Sequence, residues 1–122
     1  MTSPWTQVVP NLSFGTDSHS PHGFDAVVSL GERGAKIPDG VRHMVATGLS
    51  LDSLYSVAEW AFRKWRDGQN VLIRCGNGKD RSGLLATMVL VKMGARPDEA
   101  IKLVRCSRPG AASDTFMQAV AA

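Results

Sequence analysis

The spacing of apolar residues changes several times along the chain, and each change marks an element. Val8, Val9, Leu12 and Phe14 lie in a stretch broken by Pro10. Proline cannot donate to a sheet ladder, so residues 5–14 read as one or two short edge strands. Turn-forming residues from Gly15 to Gly23 make a loop. Asp25 to Leu30 is a short β-branched run and reads as a buried strand. Gly31, Gly34, Pro38 and Gly40 mark the next loop, and a strand from Val41 to Ala46 follows, ended by Gly48. The period then becomes helical. Leu51, Leu54, Tyr55, Ala58, Ala61, Phe62 and Trp65 share one face, with Ser50 as N-cap and Gly68 as stop. That stripe reads as core.

Val71-Leu72-Ile73 is continuous, too short for a helix, and reads as a central strand. Beyond a loop that begins at Cys75, Ser82 to Met93 is apolar nearly all round, as in a buried helix closed by Gly94. Pro97 opens another helix whose first turn carries Asp98 and Glu99, complementing its dipole. Ser113 caps a last short helix bearing Phe116, Met117 and Val120. Strands alternating with helices predict an α/β fold: a single domain over residues 1–122, with a central, mostly parallel sheet of four to five strands flanked by helices. Ligands of such sheets sit beyond the carboxyl ends of the strands, where Cys75 falls.

Composition removes several classes. The 122 residues suffice for one core, and the net charge of +3 is spread over scattered basic residues. A nucleic-acid binder clusters them, so nucleic acid is not the expected partner. The two cysteines, Cys75 and Cys106, have no zinc-type spacing with the histidines, and neither metal nor other cofactor is expected. Cys106 reads as a half-buried small apolar residue, His19 and His22 as solvated, His43 as isolated, and Trp5, Trp60 and Trp65 as structural. Residues 1–23 lack a basic and apolar leader, and the longest near-apolar stretch, Leu84 to Met93, is shorter than the roughly 20 residues a membrane span needs. The expected location is cytoplasmic.

The candidate chemistry lies between the central strand and the buried helix, in Cys75-Gly76-Asn77-Gly78-Lys79-Asp80-Arg81-Ser82. Gly76 and Gly78 let the chain curl so that its N–H groups face inward. Such amides at a helix N-terminus bind a dianion such as phosphate. Arg81 adds a planar, always charged fork for two phosphate oxygens. The same positive field favours the thiolate of Cys75, which can then attack phosphorus without a separate base. Ser82 can hydrogen-bond the thiolate when it departs. Lys79 is followed by Asp80 rather than Ser or Thr, so this is not a Walker A loop.

The stretch from Val71 to Gly83 resembles the signature of the protein tyrosine phosphatase superfamily, and the chain's length and layout resemble its small dual-specificity branch. Leu12-Ser13-Phe14-Gly15, Asp25 to Leu30, and Ala100 to Arg105 through Arg108-Pro109 and Phe116 are similar to further parts of that pattern. The resemblance implies metal-independent hydrolysis of phosphate monoesters through a phosphocysteine. Cys75 would be the nucleophile, Arg81 the phosphate clamp, Ser82 the aid to thiolate departure, and Gly76, Asn77, Gly78, Lys79 and Asp80 the rest of the phosphate cradle. The implied partner is a phosphorylated protein, bearing phosphotyrosine and also phosphoserine or phosphothreonine. Alternatives are a phosphoinositide, which Lys79 would suit, an RNA 5′-phosphate, or a catalytically weak module that binds phosphorylated partners.

Two positions depart from the family pattern. The family's usual His before the cysteine is Arg74 here, either a charge supporting the loop or a side chain pointing outward. The family's general acid, an Asp on a loop after a strand, has no counterpart in Met44 to Gly48. Asp80 within the loop, as in the myotubularin-like branch, and Asp52 at the start of the first long helix are the candidate acids; the third option is that no dedicated acid exists.

Overall fold

The computed structural model describes residues 3–31, 36–47, 50–114 and 117. Five strands are formed by Trp5–Val9 (β1), Leu12–Thr16 (β2), Ala26–Leu30 (β3), Arg42–Ala46 (β4) and Val71–Cys75 (β5). Three helices are formed by Leu51–Arg66 (α1), Asp80–Lys92 (α2) and Pro97–Ser107 (α3). The sheet order is β1-β2-β5-β3-β4, with only the β1–β2 pair antiparallel. Pro10 and Asn11 connect that pair, and Asn11 takes a left-handed φ of 67° that its short polar side chain tolerates. β2 is therefore not an edge strand: β1 and β5 pair with it on either side. The two edges are β1, as expected for this stretch, and β4, which is the more exposed.

β5 occupies the middle of the sheet, and all five of its residues are buried. That explains its unbroken apolar run, since a central parallel strand is covered on both faces. Alternation sends Val71, Ile73 and Cys75 to one face and Leu72 and Arg74 to the other. The first face carries the main core, where Leu12, Phe14, Val28 and Ile73 meet Leu54, Ala61, Leu85, Val89 and Val104 of the three helices. Each large side chain buried there contributes about 2 kcal/mol. Helices α1, α2 and α3 thus all pack on one face. Among the described residues the second face carries a small cluster of Phe24, Val27 and Leu72, with Trp5 set edge-on to Phe24 at 5.3 Å.

Most helix ends lie where capping chemistry puts them. The Ser50 side chain accepts from Ser53 N–H, Gly68 follows α1 with a φ of 87°, and Pro97 opens α3. The helical stripe of α1 differs from expectation at three positions: Leu51 and Tyr55 are exposed, whereas Val57 is buried. Trp65 donates its indole N–H to Pro10 O at 2.9 Å, tying α1 to the β1–β2 turn. Helix α2 begins at Asp80, two residues before its predicted start at Ser82, and this places Asp80 and Arg81 in its first turn. Of the predicted last helix, Phe116 and Val120 lie outside the described residues, as do the loop glycines Gly34 and Gly48, whereas Met117 N–H donates to Ser113 O at 2.9 Å and Met117 packs against the core. No helix among the described residues is long and apolar enough to cross a membrane.

Candidate active site

The carboxyl end of β5 delivers Cys75, and the N-terminus of α2 lies five residues on. The turn between them is tight. Gly78 has a φ of 69°, and a Cβ there would lie 2.6 Å from Thr16 N, so only glycine fits against β2. Three hydrogen bonds fix the ends of the turn to the neighbouring strands and to α2. Asp17 N–H donates to Cys75 O at 3.1 Å, the Thr16 hydroxyl to Gly76 O at 3.4 Å, and Gly83 N–H to Lys79 O at 3.1 Å.

Several groups gather around the sulfur. Cys75 Sγ lies 3.3 Å from Ser82 Oγ and accepts from Ser82 N–H at 3.4 Å. Asn77 Oδ1 lies 3.3 Å from Sγ and also accepts from the N–H groups of Lys79, at 2.9 Å, and Asp80, at 3.2 Å. The thiol and two loop amides thus converge on a single oxygen at the positive end of α2. The Arg81 guanidinium reaches over the same turn. Its Nη1 would lie 3.9 Å from a Cβ on Gly31, just past β3, and its Nη2 4.0 Å from one on Gly76. Among the described residues Arg81 makes no hydrogen bond or ion pair. The structure therefore places Cys75, Gly76, Asn77, Gly78, Arg81 and Ser82 around one turn.

The remaining candidates lie differently. The Lys79 side chain runs over the turn at Gly110, where an added Cβ would lie 3.7 Å from its Cδ and 3.8 Å from its Nζ. Asp80 uses both carboxylate oxygens: Oδ2 accepts from Asn77 Nδ2 at 3.1 Å, and Oδ1 from Ser113 N–H at 3.4 Å. It therefore ties the loop to the turn after α3. Asp52 lies in the exposed first turn of α1, and no hydrogen bond among the described residues links it to the loop. Both cysteines are free thiols, and Cys106 is exposed rather than half-buried.

Arg74 does not point outward. It is 3% exposed, on the sheet face opposite to the main core, and its Nε donates to Ser29 Oγ at 2.7 Å. Burial pushes its guanidinium pKa down, and the charge of Asp17 pulls it back up. Ser29 Oγ in turn lies 2.7 Å from His43 Nε2, so His43 is not isolated. Burial of the inner edge of its ring, followed by the charge of Arg74, lowers His43 below the ordinary 6.5. The sequence reading missed Ser29, Asp17 and the role of His43. A signal was present, since Ser29 and Arg74 are each a lone polar residue inside an otherwise apolar, buried run.

No protein-family model and no curated protein matches the sequence, and the likeness to known proteins is visible in three dimensions. A mouse protein provisionally assigned as a dual specificity phosphatase, complexed with zinc tungstate, superposes with a TM-score of 0.83 at 24% identity, over 98% of this chain and 85% of that one. Human DUSP28 gives 0.81 at 20% identity, over 98% of this chain and 91% of its own. Tk-PTP in its active form gives 0.78 at 25% identity, over 99% and 95%.

The chain has the dual-specificity phosphatase fold. It spans most of each of these structures. Within the dual-specificity phosphatase fold, the loop that begins at Cys75 follows the central strand and leads directly into the buried helix α2.

Proposed function

We propose that this protein hydrolyses phosphate monoesters through a phosphocysteine, acting on phosphotyrosine of proteins and also on phosphoserine and phosphothreonine. One observation carries the reading: Sγ of Cys75, Ser82 and the amides of Lys79 and Asp80 converge at the N-terminus of α2, beside the unengaged fork of Arg81. The Cys75 thiolate attacks phosphorus, the bond from phosphorus to the ester oxygen breaks, and the leaving oxygen takes a proton. Arg81 and the loop amides meet the charge on the equatorial oxygens. Water then attacks the phosphocysteine, phosphate leaves, and the thiolate departs toward the Ser82 hydroxyl.

Purified protein assayed against an aryl phosphate, phosphopeptides, phosphoinositides and a 5′-phosphorylated RNA tests the reading. The expected result is turnover of the aryl phosphate and phosphopeptides, inhibited by vanadate. Preference for the lipid or the RNA moves the substrate class. Binding of phosphopeptides without any turnover makes the protein a binding module, a reading favoured by the lack of a carboxylate in Met44 to Gly48.

We assign the general acid to Asp80, which lies in the loop itself. It gives its proton to the leaving oxygen and takes one back from the attacking water. Asp80→Asn keeps the shape of the side chain and is expected to slow hydrolysis of an alkyl phosphate about 100-fold. The effect on p-nitrophenyl phosphate, whose leaving group needs little help, should be much smaller. Equal rates for Asp80→Asn and wild type on the alkyl ester would leave Asp80 only its tie to Asn77 and Ser113.

A further inference from the structure

A chain of polar groups runs across the second face of the sheet, one rung behind the nucleophile. Gly15, Arg74 and Ser29 are partners across β2, β5 and β3, and Thr16, Cys75 and Leu30 are partners on the next rung. Arg74 Nε donates to Ser29 Oγ at 2.7 Å, and Ser29 Oγ lies 2.7 Å from His43 Nε2 on β4. The proton positions follow. Arg74 can only donate, so Ser29 accepts from it. Among the described residues the acceptor for the Ser29 hydroxyl hydrogen is His43 Nε2, and His43 is then neutral with its proton on Nδ1. On the far side of Arg74 stands Asp17, whose backbone N–H holds the carbonyl of Cys75. Its carboxylate supports the buried cation.

We propose that Ser29 and His43 are positioning residues for the Cys75 nucleophile, acting through Arg74. Arg74 stands directly before the nucleophile, where a buried side chain sets how the last peptide of β5 is presented. Ser29 holds it from β3, with His43 behind Ser29 on β4, and on the β2 side the backbone N–H of Asp17 holds the Cys75 carbonyl, so the end of β5 is tied on both sides. The brace also keeps a fixed positive charge next to a cysteine that acts as a thiolate. A buried guanidinium that loses one of its acceptors shifts, and displacement of a reacting atom by 1 Å can cost about 100-fold in rate. The inference rests on the phosphatase reading for its catalytic consequence, but not for its effect on the reactivity of Cys75.

The test separates the two. In a Cys106→Ser background, so that Cys75 alone reports, the rate of alkylation by iodoacetamide is measured with kcat and KM on an aryl phosphate. His43 is on the exposed edge strand, so its variants leave the core intact. His43→Leu removes the acceptor and is expected to lower both the alkylation rate and kcat about tenfold, with KM nearly unchanged. His43→Gln places an amide oxygen near the position of Nε2 and should restore both to within about twofold of wild type. Ser29→Ala should match or exceed the loss in His43→Leu. Alkylation in His43→Leu as fast as in wild type overturns the proposal, and so does an equal loss in His43→Gln, even if Ser29→Ala fails to fold. If wild type shows no turnover but the alkylation pattern holds, the phosphatase reading fails and the brace stands.

Discussion

Cys75→Ser will lower turnover of an aryl phosphate by at least about a thousandfold while the protein stays folded and still binds phosphopeptides. The substitution keeps a small side chain in the space between Ser82 and Asn77, so the contacts that shape the loop survive. What it removes is the nucleophile. A serine hydroxyl needs a general base to become reactive, whereas a thiol near a helix N-terminus and guanidinium groups ionises without one. Among the described residues no carboxylate or imidazole hydrogen-bonds to Sγ, so nothing stands ready to activate the serine. Steady-state rates and acid-quench detection of a phosphoenzyme check the result together. Wild type should give a covalent phosphoenzyme and the variant none. Turnover in Cys75→Ser near the wild-type rate would remove Cys75 from the chemistry and the phosphocysteine with it.

Arg81→Lys is expected to lower kcat/KM by about 100- to 1,000-fold. The charge is retained, so a simple electrostatic role predicts a small loss. The geometry predicts a large one. The Arg81 guanidinium spans from the end of β3 to the first turn of the loop, and its two terminal nitrogens can meet two oxygens of one phosphate in a plane. Lysine offers a point charge on a flexible stem and cannot reproduce that fork. Because the equatorial oxygens gain their best geometry with Arg81 in the transition state, the loss should fall mostly on kcat. Retention of more than a third of the wild-type kcat/KM would show that the fork is not a phosphate ligand.

Local rules carried the reading of the elements. Ser50, Gly68 and Pro97 mark helix ends by capping and backbone geometry alone, and the structure has them there. The loop was legible for the same reason: strand, glycines and helix are consecutive, so Cys75, Arg81 and Ser82 come together without any long-range contact. Non-local features were not legible. Nothing in residues 5–14 tells that β2 pairs with β5, a partner some 60 residues away, which is why it read as an edge. Tyr55 fits the period of α1 but faces solvent because the sheet ends at β4. His43 looked isolated because Ser29, its partner, lies on another strand. Arg74 could be read only as a charge in an unusual place until the register set it opposite Ser29.

The carboxamide of Asn77 gives the loop a resting ligand of its own. One oxygen satisfies the amides of Lys79 and Asp80 and sits against the sulfur. An oxyanion entering the proposed cradle would therefore bind by exchange with a tethered competitor, whose effective concentration is set by the few bonds joining it to the loop. In the proposed reaction the same competition would act on inorganic phosphate after hydrolysis, and a product that had to hold its place against an internal rival would leave sooner.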